Sequence, residues 1–197
     1  MRAIVCKSHG PAENLTLEEI DDPVAGEKEA VVEVYAASLN FPDGLQIQGK
    51  YQFQPPMPFT PGSEVGGVIR SVGSGLEGFA VGDRVMATPG IGGLAEQVVV
   101  KAEGLRKIPD SMDFKTAASF AMVYTTSYYA LKQRGLLKAG ETLLVLGASG
   151  GVGLAAVELG KLMGAKVIAA ASSDEKLDFV NALKPDTLLI FAVGELK

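Results

Sequence analysis

The sequence predicts an α/β plus β fold, with a mainly β region up to about residue 112 and a βαβαβ region after it. In the first region, short strand-like segments recur roughly every ten residues between glycine turns. In the second, the apolar run 143–146 leads into a glycine turn and then into an apolar segment with helical spacing. Strands followed by alternating strands and helices predict a β domain joined to an α/β domain.

The mainly β region is divided by residues that interrupt regular structure. Asn40 precedes a short predicted helix with Pro42 just inside it, the arrangement of a capping residue at a helix start. Four prolines in 50–61 predict an extended loop. Several short strands with glycine turns are typical of a small β barrel or sandwich. The predicted strands are 1–6, 15–20, 29–38, two within 63–87, and 94–101.

The α/β region begins with two helical patterns and continues with three strands and two intervening helices. We predict a domain division into 1–122 and 123–197, since the strand-rich pattern has ended by then. The predicted helices and strands are helices 114–120 and 124–134, strand 142–146, helix 151–163, strand 166–171, helix 174–183 and strand 187–191.

The glycine turn between the first of these strands and its helix has the context of a dinucleotide-binding fingerprint. Gly147, Gly150, Gly151 and Gly153 allow a tight turn and close approach of the backbone to a pyrophosphate. The N–H groups of the first helical turn then face an anion, helped by the helix dipole. A purely structural turn is the alternative. The predicted pyrophosphate-binding residues are Ala148, Ser149, Gly150, Gly151, Val152 and Gly153.

Composition excludes several classes of function. Lys and Arg total 18 against 23 Asp and Glu, a net charge of −5, and the absence of a basic run argues against a nucleic-acid surface. The single cysteine, Cys6, excludes an internal disulfide and is predicted to be buried. No apolar run is long enough for a membrane span, and the N-terminus lacks a signal-peptide pattern. These features predict a soluble, cytoplasmic protein.

The end of the second predicted α/β strand predicts which nicotinamide cofactor is bound. An acidic residue there would hold the ribose 2′-hydroxyl of NAD and repel a 2′-phosphate. This chain instead has Ser172 and Ser173, with Lys176 one turn further on, which predicts NADPH binding. The other interpretation is that Ser172 caps the helix and Glu175 completes a capping box, and the two roles are compatible.

Three motifs, at 37–51, 61–87 and 140–161, resemble the zinc-free quinone oxidoreductase branch of the medium-chain dehydrogenase/reductase superfamily, which includes zeta-crystallin. The resemblance extends to about Phe191, with Glu158 at a position where Gln is usual. It implies a GroES-like barrel domain followed by a partial Rossmann domain. It also implies NADPH-dependent reduction of quinones or related enones and carbonyl compounds by hydride transfer.

The resemblance also implies that no catalytic zinc is present. Zinc-dependent relatives have a cysteine at the position of Asn40 and a histidine at the position of Ser63, so this chain lacks the usual N and S ligands. The one histidine, His9, lies in a predicted N-terminal turn and is expected to be solvated. Without a Ser/His/Asp or Cys/His set, hydrolase chemistry is not expected.

The resemblance also implies three candidate catalytic residues, each assigned by its own position in the sequence. Asn40, Tyr51 and Thr126 match positions that line the nicotinamide and substrate cleft in the resembled branch. Each has an alternative: Asn40 as a helix cap, Tyr51 as a loop aromatic packed on the barrel, and Thr126 as a helix-surface hydroxyl. In the branch, a Ser-Ser…Lys arrangement accompanies NADPH, but Phe191 stands where Tyr is common near the 2′-phosphate.

Members of the branch are longer than this chain. The second βαβαβ half and the C-terminal segment that returns to the barrel have no counterpart in residues 1–197. Two hypotheses follow, an NADPH-dependent reductase or a non-catalytic remnant that binds nucleotide weakly or acts as an interaction module. The outer edge of the apolar strand 142–146 would be open, which predicts a homodimer or larger assembly, or a cover formed by residues 192–197.

Overall fold

The computed structural model of this chain describes residues 1–191. Contacts between Cα atoms divide the chain into two compact units, Met1–Met122 and Val123–Lys197. The first unit is built mainly from antiparallel strands and the second from parallel strands and helices, so the predicted α/β plus β class is confirmed.

The first unit contains a five-stranded antiparallel sheet in the order β6-β3-β4-β5-β7, and a separate antiparallel pair, β1 and β2. Two short α-helices and two 3₁₀ turns connect the strands. The strands are β1 (Arg2–Val5), β2 (Thr16–Glu19), β3 (Glu29–Ala37), β4 (Val65–Val72), β5 (Arg84–Ala87), β6 (Gln97–Lys101) and β7 (Leu105–Lys107). The helices are α1 (Phe41–Ile47) and α2 (Phe114–Ala118), and the 3₁₀ turns are Ala12–Asn14 and Ala102–Gly104.

The core of the first unit lies on one face of the curled sheet. It is formed by small and β-branched side chains that alternate along the strands, as expected for a half-buried sheet. At Gly67 the strands approach so closely that a Cβ atom would lie 2.0 Å from the Glu33 carbonyl oxygen. The buried residues are Ala30, Val32, Val65, Ile69, Val85, Ala87, Val98, Val100 and Leu105.

Two predictions for the β region were incomplete. β7 was not predicted, since it has three residues and two of them are charged and exposed. The strand predicted at 94–101 pairs with β3 only from Gln97 onwards. Leu94 instead bonds through its amide to Pro61 and through its carbonyl to Ile4, so this part of the chain joins β1 to the loop before β4.

The second unit contains a parallel three-stranded sheet in the order β10-β9-β8, the order expected for the first half of a doubly wound fold. Its buried residues come from the strands and from the inner faces of two helices, among them Val145, Val157, Val167 and Val180. The strands are β8 (Thr142–Leu146), β9 (Lys166–Ala171) and β10 (Thr187–Ile190), and the helices are α4 (Gly151–Leu162) and α5 (Asp174–Asn181).

The helix predicted at 124–134 forms two segments of different geometry. α3 covers Ala121–Tyr128, and a π-helical segment follows at Tyr129–Arg134. The wider turn is closed by a hydrogen bond from the Gly135 amide to the Ala130 carbonyl, five residues back, at 2.7 Å. Side-chain periodicity does not distinguish these two helix types over so short a segment.

Candidate functional site

The predicted glycine turn connects β8 to α4. Gly147 has a φ of +71°, a conformation that strongly favours glycine. Gly150 occupies the N-cap position of α4, and its amide donates to the Gly147 carbonyl at 3.0 Å. The buried Ala148 donates its amide to the Ala170 carbonyl at 2.9 Å, which fixes the turn to the carboxyl end of β9.

The glycines of this turn meet different surroundings. A Cβ atom at Gly153 would lie 2.3 Å from the Gly147 carbonyl oxygen, so this position packs directly against the backbone of the turn. At Gly150 the nearest atom would be 3.5 Å away, an ordinary contact. The first-turn amides of α4, a helix of 12 residues, form a favourable environment for an anion. Beside these amides, Val152 is exposed and Ser149 is half-buried.

A surface cavity of about 520 Å³ adjoins the turn within the second unit. It is lined by Ser149 from the turn and by Glu175, Lys176 and Phe179 from α5. The Lys176 ammonium donates to the Ser172 hydroxyl at 2.9 Å. The lining of the cavity therefore offers one cation, one hydroxyl and the carboxylate of Glu175, and the cation is bonded to a second hydroxyl, that of Ser172.

The interpretation of Ser172 as a helix cap is wrong. The N-cap of α5 is Ser173, whose hydroxyl accepts from the Lys176 amide at 3.4 Å. Glu175 is therefore only the second residue of the helix, and a capping box requires an acid or amide at the third. Ser172 lies one residue outside the helix, where its hydroxyl meets the Lys176 side chain instead.

In the first unit, Asn40 occupies the N-cap position of α1 and forms a capping box with Asp43. The backbone amide of Asn40 donates to Asp43 Oδ2 at 2.7 Å. The Asn40 side-chain nitrogen points away from the helix and donates to Ser38 Oγ at 2.8 Å and, at 3.4 Å, to Glu64 Oε2. Asn40 thus starts the helix and also belongs to a polar cluster.

The other two predicted catalytic residues differ in exposure. Tyr51 lies half-buried in the loop after α1, and Thr126 is exposed on α3. Asn40 and Tyr51 flank α1 in the first unit, whereas Thr126 belongs to the second unit. Their roles towards a substrate stay predictions.

Two contacts between α3 and α4 were not predicted. The Tyr124 hydroxyl bonds to the Glu158 carboxylate, and Ser127 Oγ donates to the Val152 carbonyl at 2.8 Å. The bond to Glu158, followed by burial and then by the negative charge, raises the pKa of Tyr124 to about 12. The one signal in the sequence was Glu158 itself, an acid at a position where the resembled branch has Gln.

The residues that would have to bind zinc do not fit a zinc site. Asn40 offers an amide, and the buried Ser63 hydroxyl has no hydrogen-bond partner in the described part of the chain. No group of three or more His, Cys, Asp or Glu side chains within residues 1–191 has the geometry to hold a metal. Cys6 is buried as predicted, and burial raises the pKa of its thiol. His9 is exposed.

Among the helices of residues 1–191, none combines the length and hydrophobicity that a membrane span requires.

Comparisons with known proteins match both units of the chain. Residues 26–110 match the family model of the alcohol dehydrogenase GroES-like domain. The quinone oxidoreductase of Pongo abelii is 39% identical over 177 residues, which are 89% of this chain and 54% of that protein.

Solved structures superimpose over nearly the whole chain. A probable oxidoreductase from Mycobacterium abscessus has a TM-score of 0.91 at 42% identity, covering 98% of this chain and 62% of that one. The quinone oxidoreductase from Thermus thermophilus, solved also in complex with NADPH, has a TM-score of 0.86 at 38% identity, covering 96% and 60%.

This chain spans about half the length of the curated relatives that it matches. Within that span, the barrel unit, the glycine turn and the parallel sheet all have counterparts in quinone oxidoreductases. The chain therefore belongs to the quinone oxidoreductase branch of the medium-chain dehydrogenase/reductase superfamily.

Proposed function

We propose that this chain acts as an NADPH-dependent oxidoreductase that reduces quinones or related enones and carbonyl compounds by hydride transfer, without zinc. The observation that carries the proposal is the cavity beside the N-terminus of α4, which Lys176 lines and where Lys176 bonds to Ser172. A helix N-terminus and a nearby cation suit a dinucleotide with an additional phosphate.

The cofactor would be bound by two groups of residues in the second unit. The turn residues 148–153 would hold the pyrophosphate, since Gly150 leaves room for close approach. Ser172, Ser173 and Lys176 would hold the 2′-phosphate, because a hydroxyl and an ammonium both donate to phosphate oxygens. No acid follows β9 before Asp174. The solved complex of the Thermus thermophilus relative with NADPH supports this choice.

The nicotinamide supplies the hydride, and this chain's own residues would orient the reacting groups. We assign Asn40, Tyr51 and Thr126 to this role by family resemblance. Zinc is not required in this proposal, because Asn40 and Ser63 replace the usual cysteine and histidine ligands. Elemental analysis of dialysed protein should give no stoichiometric zinc, and about one zinc per chain would contradict this part of the proposal.

The test is calorimetric titration with NADPH and with NADH. We expect NADPH to bind more tightly than NADH. Lys176→Ala should make the binding free energy of NADPH less favourable by about 1 kcal/mol or somewhat more, with little effect on the binding of NADH. Lys132→Ala, which removes an exposed lysine elsewhere in the second unit, is the charge-matched control. Equal affinities of the wild type, or a preference for NADH, would refute the assignment of the 2′-phosphate site.

A second candidate is nucleotide binding without turnover. It is favoured by the second unit, which by itself contains the glycine turn and the cavity lined by Lys176 that nucleotide binding would use. Adding 1,4-benzoquinone to the NADPH complex separates the two candidates. Oxidation of NADPH, followed by its absorbance, supports the reductase, whereas tight binding with no oxidation supports the binding module.

We also propose that the protein forms a homodimer or a larger homo-oligomer through β8. Among the described strands, β8 pairs with β9 alone, and Leu144 and Leu146 are 50% and 60% exposed. An apolar edge without charge or proline is prone to pair with another strand, and a two-fold axis would use the same edge twice. Residues 192–197, the alternative cover, lie outside the described residues.

Light scattering during gel filtration tests the assembly. We expect a molar mass of two or more chains for the wild type and a lower one for Leu144→Lys. Leu162→Lys introduces the same charge at another exposed leucine, at the end of α4, and should not change the mass. A monomeric wild type, or a Leu144→Lys variant of unchanged mass, would contradict the proposed edge contact.

A further inference from the structure

Glu64 is the most completely buried acidic side chain of the described residues, with no exposed surface. It immediately precedes β4 in the first unit. No ion pair reaches it within residues 1–191. A buried carboxylate without a cation is expensive unless hydrogen bonds satisfy it. Its partners therefore indicate why an acid is present at this position.

Each hydrogen bond to Glu64 is donated to it. Oε1 accepts from the Met122 amide at 3.0 Å, and Oε2 accepts from Ser38 Oγ at 3.1 Å and from Asn40 Nδ2 at 3.4 Å. Asn40 Nδ2 also donates to Ser38 Oγ at 2.8 Å. A carboxylate only accepts hydrogen bonds, so it fixes the direction of every bond in this cluster.

This polarity determines the orientation of the Asn40 carboxamide. The two ends of an amide are similar in shape but opposite in hydrogen bonding, so only the partners distinguish them. Beside Glu64, the NH₂ group must face the carboxylate and Ser38. The carboxamide oxygen then faces α1, where it accepts from the Asp43 backbone amide in the capping box, and its second lone pair is left for a ligand.

We propose that Glu64 is a positioning residue that makes Asn40 a hydrogen-bond acceptor towards its ligand. The group that Asn40 meets is then a donor, such as a carboxamide NH₂ or a hydroxyl, and not a carbonyl oxygen. This inference rests on the proposed function, because it assumes that Asn40 contacts the cofactor or substrate. The ordering of Asn40 by Glu64 is a property of the free protein and is measurable without turnover.

The proposal predicts the effect of Glu64→Gln, which preserves size but offers one oxygen where the wild type offers two. Either the Met122 amide or the Ser38–Asn40 pair then faces an NH₂ group and loses its acceptor. Ser38→Ala is the milder variant, because it leaves Glu64 in place and removes the shorter bond to Asn40. Glu77→Gln, at an exposed position in the same unit, is the matched control.

The first measurement is solvent exchange of the Asn40 side-chain NH₂ signals by NMR, assigned by their loss in Asn40→Asp. We expect slower exchange in the wild type than for the exposed Asn181 side chain. Exchange should accelerate about tenfold in Ser38→Ala and in Glu64→Gln, and stay unchanged in Glu77→Gln. Unchanged exchange in Glu64→Gln overturns the proposal. If Glu64→Gln fails to fold, unchanged exchange in Ser38→Ala, which removes the shorter of the two links between Glu64 and Asn40, overturns it.

The second measurement is NADPH oxidation with 1,4-benzoquinone. We expect Glu64→Gln and Ser38→Ala each to lower kcat on the order of 100-fold, because the displaced Asn40 carboxamide would no longer orient the reacting groups. The Kd for NADPH should stay within about twofold. A fall in kcat without faster Asn40 exchange overturns the positioning role. If the wild type shows no oxidation, the proposed function fails, and the exchange measurement alone decides whether Glu64 orients Asn40.

Discussion

Replacing Gly153 by alanine tests whether the glycine turn is required for the packing of the fold as well as for phosphate binding. The added Cβ would lie 2.3 Å from the Gly147 carbonyl oxygen and 2.8 Å from the Ala148 Cα. Both are backbone atoms, which cannot turn aside as a flexible side chain would. The turn itself, or the start of α4, must therefore shift by roughly 1 Å to restore a contact distance near 3.5 Å.

The cost follows from this overlap. Overpacking a well-packed site by one methyl group costs about 1–3 kcal/mol, and displacement of backbone places Gly153→Ala near the upper end. The helix propensity of alanine returns about 1 kcal/mol at a position inside α4. We therefore expect the free energy of unfolding to fall by about 2 kcal/mol. For a chain of this size, that corresponds to a fall in Tm of roughly 4–8 °C.

Two other glycines are matched controls for Gly153→Ala. Gly150→Ala places its Cβ 3.5 Å from the nearest atom, so stability should change by less than about 0.5 kcal/mol. The substitution should nevertheless lower the affinity for NADPH, because the methyl group lies where the pyrophosphate would approach. In Gly44→Ala, within α1, the added Cβ would have no described heavy atom within 4 Å apart from its chain neighbours and the backbone of its own helix. This substitution should stabilise the first unit by about 0.5–1 kcal/mol.

The assay is urea unfolding followed by circular dichroism, with the NADPH affinity measured on the same samples. Gly153→Ala should lose stability, and Gly150→Ala should lose affinity alone. If Gly153→Ala is as stable as the wild type, or if Gly150→Ala is the less stable of the two, the packing argument is refuted.

Three further predictions concern the core, the α3–α4 contact and the cofactor site. Ile69→Ala should lower the free energy of unfolding by about 2–5 kcal/mol in urea, whereas Val72→Ala, 40% exposed on the same strand, should change it far less. The pKa of Tyr124 is raised from 10 to about 12, so the stabilisation from this shift is complete below pH 10 and lost as the pH rises through about 12. The difference in tyrosinate absorbance between the wild type and Tyr124→Phe should have a midpoint near 12 and move down in Glu158→Gln, and a midpoint near 10 in the wild type would contradict the contact. Calorimetry from low to high salt should reduce the preference for NADPH over NADH, and a salt-independent preference would argue against a charge contact by Lys176.

The α/β half of the fold could be predicted closely because its signals are local. The apolar run and the glycine turn predicted β8 and α4 within a residue of their bounds, and the bounds predicted for the second strand agree with β9. The order β10-β9-β8 followed from the general topology of doubly wound sheets. In each case, a short stretch of sequence carried the information.

The features that were missed depend on distant partners. β7 exists because its three residues pair with β5 across some twenty residues of sequence, and its own composition does not favour a strand. Glu64 lies within the motif at 61–87, but its role could not be predicted from that motif, since it depends on Ser38, 26 residues away, and on Met122, 58 residues away. The cap of α5 was assigned one residue early because two adjacent serines have the same capping propensity.

The Lys176–Ser172 pair and the cluster around Glu64 differ in how much their hydrogen bonds contribute to the stability of the free protein. Lys176 and Ser172 meet at an exposed surface, where water competes for both groups and the bond contributes little to the free protein. The ammonium can therefore exchange this hydroxyl for a phosphate at small cost, which suits a residue that selects a ligand. Glu64 has no exposed surface, so any reorientation there would leave a buried acceptor unsatisfied. A site that must hold one amide in a single orientation through repeated turnover requires that stiffness, whereas a site that must capture and release a phosphate requires its absence.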